Sequence, residues 1–251
     1  MKKISVMNYK GGTGKTSTVV NLGHGLALKG QRVLIVDTDP QGSTGQYLGV
    51  KSEVSLYDVL LDKAHWSQCV VHARANLDVI VSNERVYPAE LLIAKMKSKE
   101  HILSQRLETL SGYDVVLVDC APSMNLLNQN ALLFAQNVML PVSMEYLSLV
   151  GVRQLLNNIK IINKIFKKSV TISKVIPTFF DKRNKKSLEI LESLNRVFPG
   201  LVCTPIRSSV SLSEAPGFKK TIFEYDPNSN GAQDYYKLIQ EVLDNGETKT
   251  I

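Results

Sequence analysis

A glycine-rich segment near the N-terminus constrains this chain more than any other feature. Residues 10–16 read KGGTGKT, between an apolar run at residues 4–7 that predicts a strand and a pattern at residues 16–29 that predicts a helix. Glycines let backbone N–H groups turn towards phosphate oxygens without a Cβ clash, and the positive end of the following helix points at the same place. This order therefore predicts the phosphate-binding loop of an α/β protein.

The rest of the chain alternates between strand and helix patterns. The predicted strands are residues 32–36, 77–81, 115–118, 137–141, 170–176 and 201–203, and the predicted helices are residues 89–110, 147–166, 187–198 and 233–243. Such alternation predicts one α/β domain with a mostly parallel twisted sheet and helices on both faces. We place this domain at residues 1–246 and expect a short polar tail at residues 247–251.

The loop departs from the usual phosphate-loop pattern. The strict pattern, G-x-x-x-x-G-K-[ST], requires a glycine five residues before Gly14, where this chain has Tyr9. Lys15 is still placed to reach the β- and γ-phosphates of a nucleotide, and Thr16 to offer its hydroxyl to Mg²⁺. Lys10 adds a second cation to a short loop, which is unfavourable unless that lysine meets negative charge.

Further segments match a known family. DTDPQGS at residues 37–43 and DCAPS at residues 119–123 each follow a predicted strand, while LSEAP at 212–216 and IFEYD at 222–226 lie near the C-terminus. Together with the KGGTGKT loop, they resemble the deviant Walker A ATPases, the group of the ParA/Soj partition proteins, MinD and the nitrogenase iron protein. LSEAP and NQNAL at residues 128–132 favour the ParA/Soj branch. The resemblance covers nearly the whole chain and implies a deviant P-loop NTPase; Ala121 replaces the usual first proline of DxPPS.

The resemblance implies a role for each residue of these segments. The candidate ATP-binding residues are Lys10, Gly11, Gly12, Thr13, Gly14, Lys15, Thr16 and Ser17. The candidate magnesium residues are Thr16, Asp37 and Asp119. Among the catalytic candidates, Lys15 would bind phosphates in its own subunit, Lys10 those of the partner subunit in a nucleotide-sandwich homodimer, and Asp39 would orient the attacking water. As an alternative, Asp37 and Asp39 follow a strand where helix-capping residues also occur.

Positive charge is concentrated in one part of the chain. Residues 153–186 contain ten lysines and arginines and one acid, Asp181, a net charge of +9, whereas the whole chain carries +7. This excess indicates a sequence-independent nucleic-acid surface, although a lysine run is often only a solvated helix face. Of two arginines linked to DNA binding in some chromosomal members of the family, Arg183 matches one and Ser211 stands at the other position. The candidate DNA-binding residues are Lys182, Arg183, Lys185, Lys186 and Lys219.

The expected function is that of an ATP-switched positioning protein. The chain would hydrolyse ATP weakly alone, dimerise with ATP, bind nonspecific DNA, and be stimulated by a ParB-like or other adaptor protein; its cargo would be a plasmid, a chromosome origin or a protein assembly. No apolar run reaches the ~20 residues that span a bilayer. Three widely spaced cysteines without a CxxC pair indicate reduced thiols. We therefore expect a cytoplasmic, nucleoid-associated protein without stable membrane association.

Three alternatives remain from the sequence. A MinD-like membrane ATPase needs a basic amphipathic helix at the C-terminus, where this chain has the acidic segment EVLDNGE at residues 241–247. An iron–sulfur reductase needs cysteines that bridge a cluster at a dimer axis, for which Cys120 is the only placed candidate. A metabolic P-loop ligase needs a second substrate site, and no motif predicts one.

Overall fold

The computed structural model describes residues 1–244. The strands are β1 (Lys2–Val6), β2 (Val33–Asp37), β3 (Val70–Arg74), β4 (Leu77–Ile80), β5 (Val115–Asp119), β6 (Asn137–Ser143) and β7 (Thr171–Thr178). The helices are α1 (Lys15–Leu28), α2 (Ser43–Leu48), α3 (Leu56–Leu60), α4 (Val86–Ile93), α5 (Ile102–Arg106), α6 (Leu126–Ala135), α7 (Tyr146–Phe166), α8 (Lys185–Val197), α9 (Val210–Glu214), α10 (Ile222–Tyr225) and α11 (Asn230–Asp244). The predicted tail and the domain boundary at residue 246 lie outside the described residues.

The strands form one sheet in the order β3-β4-β2-β5-β1-β6-β7. Every pair is parallel except β3 with β4 at one edge. Successive residues of the central strands are buried on opposite faces: Leu34 and Val36 join one core, and Val33 and Ile35 join the other. A strand buried on both faces explains its continuous apolar sequence, and the predicted fold class is confirmed.

Two helical layers cover the sheet. The core on one face includes apolar residues of α3 to α8. The core on the other face includes apolar residues of α1, α2, α10 and α11, with Leu212 of α9 packed at its margin. The long helices have apolar residues at helical spacing, and α1, α7, α8 and α11 occur close to their predicted bounds.

The single helix predicted at residues 89–110 is wrong. The chain forms α4, a 3₁₀ turn at Lys99–His101 and then α5, with Ser98 in the left-handed region at φ 53°. Ile93 and Ile102 are both buried, yet at about 100° per residue a continuous helix would place them on opposite faces. The break lets both side chains enter the same core.

The predicted strand at residues 201–203 is also wrong, because Val202 forms only an isolated bridge with Val175. The sequence prediction missed β3, which pairs with β4 across a tight turn that has Asn76 at φ 60°. It also missed α6, whose N-cap is Asn125.

The topology brings three loops together. β1, β5 and β2 are neighbours in parallel register, so that Val6 and Asp37 both lie beside Asp119. The carboxyl ends of these strands therefore meet at one edge of the sheet. The glycine-rich loop, the Asp39 segment and the segment after Asp119 all begin there.

Candidate nucleotide site

The glycine-rich loop surrounds an open cavity at this edge. Gly12 and Gly14 have φ of 69° and 82°, values that residues with a Cβ adopt at a cost. A Cβ on Gly11 or Gly12 would meet no atom within 4 Å, so the backbone there faces free space. The cavity has a volume of about 320 Å³, and its lining residues are Gly11, Gly12, Thr13, Gly14, Lys15, Thr16, Ser17, Asp39, Ser43, Pro122 and Phe179.

Lys15 is a buried lysine at the start of α1. Its Nζ donates a hydrogen bond to the Lys10 carbonyl at 3.2 Å. Burial lowers the pKa of Lys15, and the nearby Asp119 carboxylate opposes that shift. A desolvated cation beside open space is suited to donate hydrogen bonds to phosphate oxygens, which is the role that the sequence analysis predicts for Lys15.

Lys10 points away from this cavity. Its Nζ forms an ion pair with Glu145 and a hydrogen bond of 3.2 Å to Ser148 Oγ; both partners lie at the start of α7. The Lys10 side chain is 26% exposed and that of Glu145 is 58% exposed. Sequence reasoning missed Glu145 and Ser148, because they lie far from the loop in the chain and match no motif.

Asp37 and Asp119 are two buried carboxylates on adjacent strands. Burial raises the pKa of Asp37 well above its usual value and that of Asp119 to about 6, and Asp119 further raises the pKa of Asp37. The nearby Thr16 and Thr44 hydroxyls oppose the rise in the pKa of Asp119, and Thr44 Oγ1 donates to Asp119 Oδ2 at 2.9 Å. Asp119 Oδ1 is buried and has no hydrogen-bond partner within the described residues.

These oxygens fit a magnesium ion. Carboxylate and hydroxyl oxygens are the ligands that Mg²⁺ prefers, often through its bound water. A cation would neutralise two buried negative charges that otherwise repel each other, and it would satisfy the unpaired Asp119 oxygen. Thr16, Asp37 and Asp119 are thus brought together as the sequence predicted.

Asp39 lines the cavity opposite the glycine-rich loop. Its Oδ1 accepts from Gln41 N at 3.0 Å, and its own N–H donates to Asp37 Oδ1 at 3.0 Å. Asp37 Oδ2 also accepts from Thr44 N in the first turn of α2, at 3.1 Å. The alternative that Asp37 caps a helix is therefore partly correct, and this role is compatible with a position beside a metal ion.

Three cavity residues, Ser43, Pro122 and Phe179, were not among the predicted site residues. Pro122 and Phe179 both line it, and Phe179 has φ of 54° at the end of β7. Thr178 Oγ1 donates to the Thr13 carbonyl at 2.9 Å and so fixes β7 against the glycine-rich loop. A proline after a strand-end acid was the only available signal; the residues at 178–179 carried none.

Four of the DNA-binding candidates lie close together in the chain, with Lys182 and Arg183 in the loop after β7 and Lys185 and Lys186 at the start of α8. Lys182, Arg183 and Lys185 are exposed, while Lys186 is half-buried and lines a cavity with Phe179 and Asp181. Arg183 is 85% exposed and pairs with Asp181 at 2.9 Å, which lowers the pKa of Asp181 to about 2. Exposed pairs of this kind contribute little, so a phosphate can compete for Arg183.

Lys219 belongs to a different surface. Its aliphatic chain lies against Gly49, and it lines a groove with residues of α2 and of the segment before α4. Ser211, at the second expected arginine position, donates to Asp226 Oδ2 at 2.9 Å. The five candidates therefore do not form one patch.

Comparison with known proteins places the chain in a family. A family model described as an AAA domain matches residues 1–172. The chain is 39% identical to the sporulation initiation inhibitor protein Soj of Bacillus subtilis, over 98% of this chain and 99% of that protein. It is 34% identical to the chromosome partitioning protein ParA of Caulobacter vibrioides, over 97% and 94%. The chain belongs to the ParA/Soj family.

Solved structures share this fold. A Mycobacterium smegmatis protein named cobyrinic acid a,c-diamide synthase, with bound ATP analogue and magnesium, is 29% identical, with a TM-score of 0.85 over 99% of this chain and 96% of that chain. The septum site-determining protein MinD of Pyrococcus horikoshii, complexed with Mg-ADP, is 25% identical, with a TM-score of 0.81 over 99% and 98%. This ParA/Soj protein is accordingly an ATPase, and its cofactors are ATP and Mg²⁺.

Proposed function

We propose that this ParA/Soj protein is an ATP-switched dimer that binds nonspecific DNA and positions a cargo, with hydrolysis stimulated by an adaptor protein. The observation that carries the proposal is the direction of Lys10. Within the glycine-rich segment, residues Gly11 to Ser17 line the phosphate cavity. Lys10 instead extends to Glu145, the N-cap of α7. This partly exposed lysine does not serve its own cavity, and on release from Glu145 and Ser148 it would serve the nucleotide of another subunit.

Within one subunit, the chain's own groups are arranged for phosphoryl transfer. Lys15 and the N-terminus of α1 bind phosphate charge, and Asp39 lies across the cavity, where it orients the attacking water. Thr16, Asp37 and Asp119 would hold a magnesium ion, which would neutralise charge on the phosphates. Catalysis of this kind depends mainly on positioning and charge neutralisation.

The switch requires different dimer stabilities with ATP and ADP. Moving a population from mostly monomer to mostly dimer needs several kcal/mol of differential binding. The γ-phosphate and the two Lys10 ammonium groups supply this difference in our proposal. Replacing Asp39 with Ala should preserve ATP-dependent dimerisation and DNA binding while hydrolysis falls; hydrolysis at the parental rate would disprove the role of Asp39.

Lys10→Ala tests the dimer directly. We expect ATP to bind its own loop with near-parental affinity, since Lys15 and the glycines remain, while the dimer and hydrolysis are lost. Sedimentation velocity with ATP and with ADP, together with phosphate release, measures both. Normal dimerisation and hydrolysis in this variant would leave an ATPase without the proposed composite site.

DNA binding is proposed for the surface of Lys182, Arg183, Lys185 and Lys186, with Lys219 as a separate candidate. Phosphate contacts predict that log K falls linearly with log salt concentration, by about 0.9 per contact on duplex DNA. Removing Arg183 should lower that slope by about one. Removing Lys219 should have the same effect if its groove belongs to the DNA surface, and no effect otherwise.

Partner and location follow from the same proposal. The Caulobacter vibrioides relative is named a chromosome partitioning protein, and we propose that this chain is a cytoplasmic, nucleoid-associated protein with a ParB-like or other adaptor. ATP hydrolysis measured with DNA and with the product of the neighbouring gene, separately and together, tests this. Full stimulation by anionic liposomes without DNA would favour the MinD-like alternative instead.

The structure argues against the iron–sulfur alternative, whereas the MinD-like alternative depends on a C-terminal segment that lies partly outside the described residues. Among residues 1–244, no helix has the length and apolar character to cross a bilayer. Cys120 is 1% exposed, so its sulfur does not lie on a surface that a second subunit can share. The acidic C-terminal segment continues beyond the described residues.

A further inference from the structure

Helix α4 connects the two loops that flank the phosphate cavity. It is fixed to the core by Val86, Ala89 and Ile93, all fully buried. Two of its remaining side chains, Tyr87 and Glu90, reach in different directions to loops after β2 and β5. Neither side chain lines the cavity with Asp39 and Pro122, so any effect on the reaction is exerted through other residues.

Glu90 holds the segment that follows Asp119. Its Oε1 accepts hydrogen bonds from Leu126 N at 2.7 Å and Leu127 N at 3.4 Å, and its Oε2 accepts from Asn125 Nδ2 at 3.3 Å. The backbone amides of Leu126 and Leu127 lie in the first turn of α6, where they have no acceptor within the helix. The helix dipole also favours a negative charge at this position. Glu90 therefore fixes where α6 begins.

The first turn of α6 in turn holds the cavity wall. Asn128 N donates to Asn125 Oδ1 at 2.9 Å, and Asn128 Nδ2 donates to the Ala121 carbonyl at 2.8 Å and to the Ser123 carbonyl. Pro122, which lines the cavity, lies between those two carbonyls. A displacement of α6 is thus transmitted directly to Pro122 and to the end of β5.

Tyr87 holds the opposite wall. Its hydroxyl accepts from Gln41 Nε2 at 3.3 Å, and Gln41 N donates to Asp39 Oδ1. The Gln41 carbonyl also accepts from Gln46 of α2 at 2.8 Å. One rigid helix therefore has a hydrogen bond to each of the two loops that must keep a fixed separation across the cavity.

We propose that α4 sets the separation of the Asp39 loop and the Pro122 loop, and that Glu90 is a positioning residue for ATP hydrolysis with Tyr87 as its weaker counterpart. The inference rests on the proposed role of Asp39 at the attacking water. Misplacement of reacting groups by about 1 Å can cost up to about a hundredfold in rate, whereas the glycine-rich loop that binds the phosphates has no contact with Glu90. The change should therefore appear in the rate of hydrolysis and not in nucleotide affinity.

The test compares Glu90→Ala and Glu90→Gln with the parental protein and with Glu108→Ala, an exposed acid on the same side of the sheet. We expect Glu90→Ala to lower kcat by about tenfold or more, with ATP affinity within about twofold. Glu90→Gln should recover most of the rate, because its amide oxygen can still accept from Leu126 N. Tyr87→Phe should lower kcat by about two- to fivefold, as expected for one long, exposed hydrogen bond.

Hydrogen exchange supplies a readout that does not depend on activity. In Glu90→Ala, the Leu126 and Leu127 amides should lose protection, while Thr18 N, which bonds to Gly14 O at 2.8 Å, should keep it. An unchanged kcat in Glu90→Ala would overturn the inference. Parallel losses of kcat, ATP affinity and melting temperature in both Glu90→Ala and Glu90→Gln would also overturn it, because that pattern would mean that Glu90 acts only as a structural cap of α6.

Asp39→Ala separates this inference from the proposed function. If Asp39→Ala hydrolyses ATP normally, the proposed role of Asp39 fails first. If Asp39→Ala is inactive and Glu90→Ala behaves like the parental protein, the positioning role of α4 fails alone.

Discussion

Lys10 must leave Glu145 and Ser148 before its ammonium group can reach a nucleotide in another subunit. Replacing Glu145 with Gln keeps the size of the side chain and removes the negative charge that holds the lysine. We therefore expect Glu145→Gln to shift the equilibrium towards the ATP-bound dimer. The Lys10 pairing also holds the pKa of Glu145 below its usual value, so the carboxylate is charged near neutral pH.

The size of this shift follows from the exposure of the pair. Solvent-exposed ion pairs contribute about 0.2–1 kcal/mol, and because Glu145 is 58% exposed the lower half of that range applies. Two subunits each break one pair on dimerisation, so the contribution is doubled. Since 1.4 kcal/mol corresponds to a factor of ten, the dimer dissociation constant should fall by about two- to sevenfold.

Sedimentation velocity across a protein concentration series, with a nonhydrolysable ATP analogue, measures this constant. Glu192→Gln is the matched control, because it removes an exposed charge from α8 without affecting Lys10. The difference between the variants should shrink in 1 M salt, where the Debye length is about 3 Å. An unchanged or weaker dimer in Glu145→Gln would refute the view that Glu145 restrains Lys10.

Two further predictions concern stability, measured as the free energy of unfolding in urea. Gly42→Ala should lower the free energy of unfolding by more than about 2 kcal/mol, because the φ of Gly42 is 62° and the new Cβ would lie 2.6 Å from the Ser82 carbonyl oxygen. Gly30 also has a positive φ, but a Cβ there would meet no atom within 4 Å. Gly30→Ala should therefore lower the free energy of unfolding by only about 1 kcal/mol. Arg207→Ala should lower the free energy of unfolding by about 3 kcal/mol, because Asp234 is 2% exposed and would remain buried without its cation. Replacing both partners with apolar residues should lower it much less. Equal losses in the two glycine variants, or a double replacement as damaging as Arg207→Ala, would contradict these arguments.

The nucleotide site was predictable because its information is local. A phosphate loop needs glycines, a lysine and a helix start within a few residues, so KGGTGKT indicates it without knowledge of the fold. The acids Asp37 and Asp119 were also found from sequence, because each ends a continuous apolar strand and parallel neighbours bring such ends together. Helix α7 was predicted for a similar reason, since its apolar positions repeat at helical spacing over many residues.

The errors share one cause, which is dependence on distant residues. Residues 89–110 have helical composition, but the core requires Ile93 and Ile102 on the same side, and this decides the break at Ser98. Residues 201–203 are apolar enough for a strand, but they meet β7 only at Val175, so that they form one isolated bridge and not a strand. The composition of a segment indicates which secondary structure it prefers, but it does not indicate where the residues that it packs against lie in the fold.

The sequence by itself indicated membership of the ParA/Soj family and predicted which loop would bind phosphate and which acids would hold magnesium. Tertiary structure alone decided the direction of Lys10, the pairing of Glu90 with α6, and the division of the basic residues between separate surfaces. Residues 153–186 are continuous in the chain, yet Lys174 lies in a cavity with Lys2, while Lys186 borders Phe179. The physical reason is that charge and contact act through space, and only folding fixes the distances over which they act.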